Sequence, residues 1–182
     1  LCSVARLGSR LKSLTCVSAH PPIRGYRDIA AMPQQQRVFT ILPKVSMPLL
    51  RFLAKTGDRK LKREGPSAFP RTVFADAEAD LKACEDPELL KLFWAGHHFH
   101  VENGSDGFIT DCQLAASTWI KNFKASNVRP FFMHGNANAT IQTKRVAEFA
   151  SSIDAELKIL GGAGHSLPFT HWRELFSAIE KY

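Results

Sequence analysis

The chain has 182 residues, 45% of them hydrophobic and 23% charged, with a formal net charge of +7. That composition belongs to an ordinary globular protein with a sizeable core, and excludes a disordered, collagenous or disulfide-rich chain. No apolar run approaches the length of a transmembrane helix.

The charge is uneven along the chain. Lys and Arg outnumber Asp and Glu heavily before residue 72, most densely at Lys55–Arg63, and the balance is acidic afterwards. Without an accompanying nucleic-acid motif, the basic run reads as a solvated face, and no nucleic-acid partner is expected. Cys2, Cys16, Cys84 and Cys112 are scattered. They show neither zinc-type nor disulfide-framework spacing, which fits isolated thiols in a reducing compartment and favours a cytoplasmic location.

Residues 1–13 are Arg- and Ser-rich and lack acids. They read either as an organellar transit segment or as a helix leading into a strand. Leu14–Val17 is the strand, and Ser18-Ala19-His20-Pro21-Pro22 its exit.

Residues 23–128 are far too long for a plain loop and must carry structure of their own. Arg37–Leu53 is helix-like, interrupted by Pro43 and Pro48. Thr56–Thr72, basic and punctuated by Gly and Pro, reads as a loop. Asp76–Cys84 starts a short helix. Asp86-Pro87-Glu88 opens another, with Pro in the first turn. Leu89, Leu90, Phe93, Trp94 and His97 share one face of it. Asn103–Gly107 is a turn, and Phe108–Ile120 a last helix with Leu114, Ala115 and Trp119 spaced for burial. Phe93, Trp94 and Phe99 fit packing better than a substrate pocket. His97, His98 and His100 do not form a metal set, because neighbouring helical side chains diverge by about 100°.

Pro130–Met133 is a short apolar run closed by His134-Gly135, which fits a buried strand. Asn136–Gln142 is a loop. Thr143–Ser151 is helical, with Val146, Phe149 and Ala150 on one side. Leu157–Leu160 is a further strand, broken by Gly161-Gly162 and followed by Gly164-His165. In the last helix Trp172, Leu175, Phe176 and Ile179 recur at i, i+3, i+4 and i+7. Strand, helix, strand, His loop and helix in this order make the end of a parallel α/β sheet.

This stretch resembles the C-terminal end of an α/β-hydrolase. In that family one strand ends in Gly, with the catalytic acid three residues on, and the next ends in a Gly-rich loop carrying the catalytic His. Gly135-Asn136-Ala137-Asn138 stands at the acid motif and Gly161-Gly162-Ala163-Gly164-His165 at the His motif. The resemblance implies the C-terminal part of an α/β-hydrolase parallel sheet with a helical lid (cap) insertion. Residues 1–22 and 129–182 would form the partial core and 23–128 the lid. It further implies a serine hydrolase acting on a small-molecule ester or amide, with His165 and the residue at position 138, Asn138, as site residues and no cofactor or metal.

Two departures bear on that expectation. Position 138 is Asn where the family has Asp, so the charge that orients and stabilises a catalytic imidazolium is missing. Of Asp106, Asp111 and Glu148, the acids between Glu102 and Asp154, only Asp111 is a plausible substitute. Nor does the chain contain Gly-x-Ser-x-Gly; Gly8-Ser9 and Gly104-Ser105 have the wrong spacing. The strand at Leu14–Val17 and its Ser-x-x-Pro exit match the segment that follows the nucleophile's helix. The nucleophile is therefore expected upstream of Leu1, and the chain alone is expected to aggregate through an unpaired sheet edge. The other reading is a non-catalytic, hydrolase-like binding protein.

Overall fold

The computed structural model describes residues 10–102, 105–117 and 128–180. Most of residues 1–13, Cys2 and Trp119 lie outside them. The described residues divide into two compact units. One holds those within Leu1–Pro22, Ala77–Asp80 and Thr118–Tyr182; the other holds Ile23–Asp76 and Leu81–Ser117.

The first unit is built on a three-stranded parallel sheet, β1 (Thr15–Val17), β2 (Phe131–Gly135) and β3 (Glu156–Leu160), with β2 in the centre. Thr15 pairs with Phe131, and Phe131 with Glu156. Helix α8 (Thr143–Ser152) makes the crossover from β2 to β3, as a parallel pair requires. Every residue of β2 is buried. Its side chains alternate between two cores, the arrangement behind a continuous apolar strand. Phe132 joins Cys16, Ile141, Val146, Phe149 and Ala150 on one face. Phe131 and Met133 join Ala163, Leu167 and Ala178 on the other. The chain ends in α9 (Leu167–Thr170) and α10 (Trp172–Ile179).

The second unit is helical: α1 (Tyr26–Ala30), α2 (Gln34–Val45), α3 (Met47–Glu64), α4 (Phe69–Phe74), the end of α5 (Glu78–Ala83), which starts in the first unit, α6 (Pro87–Glu102) and α7 (Asp106–Ala116). Ser46 caps α3 by accepting the Leu49 N–H, and Pro48 sits in its first turn, where its missing donor costs nothing. Helix α6 (Pro87–Glu102) is opened by Asp86, whose carboxylate accepts from the Glu88 N–H at 2.9 Å. Leu89, Leu90, Phe93, Trp94 and His97 are its half-buried face. Leu50, Ile109 and Cys112 form a core with Phe39, Leu42, Met47 and Phe108 packed against it.

Two expectations need correction. Thr56–Thr72 is not a loop: α3 runs to Glu64 and a 3-10 turn, Pro66–Ala68, leads into α4. Lys and Arg are good helix formers, and Leu50, Ala54 and Leu61 give α3 a buried stripe that outweighs one Gly. The basic side chains of Lys55–Arg63 are all exposed on it. The last helix of the second unit, α7 (Asp106–Ala116), buries Ile109, Cys112 and Ala116, while Leu114 and Ala115 face solvent. The helix starts two residues earlier than the sequence pattern suggests, and the stripe that packs is Ile109 and Cys112, against Leu50 and Phe39, rather than the one through Leu114 and Ala115.

Candidate active site

The carboxyl ends of β2 and β3 carry two turns that grip each other. The Asn136 N–H donates to the Leu160 carbonyl at 3.0 Å, and the Ala137 N–H to the Ala163 carbonyl at 3.1 Å. In return the Asn136 side-chain oxygen accepts the Gly162 N–H at 2.7 Å. This clasp explains the glycines. A Cβ on Gly135 would run into the Ala163 carbonyl. Gly162 has φ +72°, a left-handed conformation that costs other residues free energy.

Asn138 and His165 meet across the clasp. The Asn138 Nδ2 lies 3.3 Å from His165 Nδ1. The amide's orientation follows from its other contacts. Asn138 Oδ1 accepts the backbone N–H groups of Thr140 at 3.0 Å and Ile141 at 2.9 Å. Turning the amide over would set an NH₂ group against two N–H donors. The NH₂ therefore faces the ring and donates to Nδ1, which leaves the proton of neutral His165 on Nε2.

His165 is mostly surrounded by protein, and burial pushes its pKa below the ordinary value of 6.5. The Asp80 charge pulls it back up, and the neighbouring His134 and His20 push it further down. The imidazole is thus neutral at pH 7. His134, fully buried in β2, donates from Nε2 to the Ile141 carbonyl at 2.9 Å. Its Nδ1 has no partner among the described residues, and burial lowers its pKa as well.

A carboxylate does reach the His loop, and it is neither Asp111 nor any of the other acids weighed from the sequence. Asp111 is an exposed residue of α7 in the second unit. The carboxylate is Asp80, fully buried in α5. Its Oδ2 accepts the His165 N–H at 3.0 Å, and its Oδ1 accepts both the N–H and the hydroxyl of Ser166 at 2.6 Å. One signal could have found it. Ala77, Asp80 and Cys84 recur at i, i+3 and i+7 within and just beside α5, and all three are buried. An acid inside such a stripe needs polar partners.

The remaining candidates have other surroundings. Ser105 stands at the N-cap position of α7 with a left-handed backbone and no capping bond, its hydroxyl bonded to Asp58 in the second unit. Ser18 follows β1 with φ +46°, its buried hydroxyl unpartnered among the described residues. Burial pushes the thiols of Cys16 and Cys112 up to about 11, far from thiolate character at neutral pH. His97 packs against Phe69 and Trp94, and Phe93 against Phe74, so these aromatics pack together. Phe99 is exposed. Among the described residues no three His, Cys, Asp or Glu side chains gather as a metal-holding group. No helix among them is long and apolar enough to cross a membrane.

The chain matches no protein-family model, and no curated protein is significantly similar to it. It is similar in structure to a bromoperoxidase from Bacillus anthracis, with a TM-score of 0.50 and 16% identity. That likeness covers 97% of this chain and 61% of the bromoperoxidase. A second similar structure is MGS-M2, an α/β-hydrolase enzyme from a Medee basin deep-sea metagenome library. Its TM-score is 0.45 at 12% identity, over 92% of this chain and 54% of that one. At these identities the likeness is one of fold, and that fold is the α/β-hydrolase fold. The chain spans about three fifths of the bromoperoxidase's length.

Proposed function

We propose that this chain carries the acid-position and histidine end of a serine-hydrolase site for a small-molecule ester or amide. Residues 1–22 and 129–182 serve as its core and 23–128 as its lid. His165 is the proton-transfer group: it takes the proton of a serine as that serine attacks the carbonyl, then returns it to the leaving group. The observation that supports this reading is the side-chain contact between Asn138 and His165 at the carboxyl ends of adjacent parallel strands. Open α/β sheets bind their ligands at that end. The reading needs a serine in a Gly-x-Ser-x-Gly turn, which these 182 residues do not contain; we place it outside them.

Turnover is slow in this reading. A base must present a lone pair on Nε2, and Asn138 holds the proton there. In a Ser-His-Asp enzyme the same Asp→Asn exchange lowers kcat by about 10⁴-fold through the wrong tautomer. That amide orientation also favours a second reading, a hydrolase-fold protein that binds its ligand without turning it over. There the Nε2–H donates to an oxygen of the ligand.

A serine-directed fluorophosphonate probe, applied to the protein as isolated from cells, separates the two. The hydrolase reading predicts slow labelling that Asn138→Asp accelerates by about 10²–10⁴-fold and His165→Ala abolishes. No labelling of either the native protein or Asn138→Asp contradicts it and leaves the binding reading.

A further inference from the structure

We propose that Asp80 is the positioning residue of this site: it fixes the backbone of His165 and Ser166 and sets a negative charge beside the imidazole, where Asn138 supplies none. The consequence for proton transfer rests on the reading of His165 given above; the contacts do not.

Asp80 is fully buried, and a buried carboxylate is costly unless its lone pairs are satisfied. Among the described residues it has three donors, all from His165 and Ser166. No Lys or Arg among the described residues forms an ion pair with it. The loop is shaped around it. A Cβ on Gly164 would lie 2.5 Å from Asp80 Oδ1, so the glycine before the histidine is what lets the carboxylate approach. Any side chain at position 164 would push Asp80 off the two N–H groups that follow.

The charge has a direction of action. Among the groups that act electrically on His165, Asp80 favours the imidazolium, and His134 and His20 oppose it. An imidazolium is what His165 must become if it takes a proton from a nucleophile. In a Ser-His-Asp arrangement one carboxylate both orients the ring and stabilises that cation. Here the two roles are divided. Asn138 touches Nδ1 and is neutral; Asp80 is charged and touches only the backbone of His165. Asp80 can therefore stabilise the cation but cannot set the tautomer, because it makes no bond to the ring.

A purely structural clamp would hold the loop without moving the histidine's titration. NMR of the whole isotope-labelled protein, as it occurs in cells, separates the roles, reading the His165 imidazole titration and the amide exchange of His165 and Ser166. In Asp80→Asn the new NH₂ group opposes an N–H donor, and the charge is gone. The His165 midpoint should fall, and the His165 amide should exchange at least about tenfold faster, the scale of a lost bond to a charged acceptor. Ser166→Ala removes the hydroxyl's bond but keeps both N–H bonds and the charge, so the His165 midpoint should stay. An unmoved midpoint in Asp80→Asn, or an equal shift in Ser166→Ala, overturns the proposal. Should Asp80→Asn not fold, the native chain still decides. The Asp80 carboxyl carbon should shift at the His165 midpoint, and its failure to respond there overturns the proposal. These readouts require no turnover, so they stand apart from the probe experiment on the hydrolase reading.

Discussion

Asn138 matters less for the charge it lacks than for the direction in which its amide points. Asp and Asn have nearly the same shape, and Asn138 keeps the two backbone bonds that fasten its side chain to the turn. What changes is the group presented to His165: a donor where a carboxylate would accept. Position 138 was readable from its place three residues after Gly135, and His165 from its glycine loop. The spacing of Ala77, Asp80 and Cys84 hints that Asp80 is buried, but not that it reaches the His loop, because it lies 58 residues before Asn138 and no spacing rule links the two. The buried histidines also set a pH dependence. His134 and His165 both have native pKa values below 6.5, because burial disfavours their cations. Below about pH 6.5 the unfolded chain binds protons that the native state refuses, so stability falls as pH drops toward the lowered native values. The melting temperature should therefore decline between about pH 7.5 and 5.5, above the range where carboxylates titrate. His134→Gln, which can still donate to the Ile141 carbonyl, should flatten that decline; an unchanged slope would remove His134 from the account.

At the scale of elements, periodicity told helix from strand well and told burial less well. The central strand β2 was legible because both of its faces are covered, which leaves an apolar run without alternation. Helix α10 was legible too, yet Trp172, Phe176 and Ile179 are substantially exposed and Ala178 carries its burial. Periodicity reports which residues share a face; it does not report what lies against that face. The segment Thr56–Thr72 shows the opposite error. Its Gly, Pro and basic residues suggested a loop, but Gly57 lies inside α3 and Pro66 opens the following 3-10 turn. A Cβ on Gly57 would meet nothing within 4 Å. Gly57→Ala should therefore stabilise the chain by about 0.5–1 kcal/mol, through the unfolded-state entropy that Gly adds and Ala removes. Thermal or urea unfolding reads this directly, and destabilisation would argue that residues 56–64 are not helical.

At the scale of the molecule, the order of elements, more than any one motif, made the fold legible. A strand, a long helical insertion, then strand, helix, strand and His loop is how the chain reads, and the described parallel sheet is built in that order. The likeness to the bromoperoxidase is one of shape at 16% identity, so it carries the fold and leaves the chemistry to be argued from residues. The chemistry turns on one proton. If the amide of Asn138 donates to His165, the histidine starts as an Nε2–H donor; if it does not, the site could run as an ordinary base. The most direct measurement is a ¹⁵N–¹H correlation spectrum of the imidazole of His165 at neutral pH, in the native chain and in Asn138→Asp. We predict a pyridine-type Nδ1 and a protonated Nε2 in the native chain, exchanged in Asn138→Asp. A native His165 already protonated at Nδ1 would contradict the account.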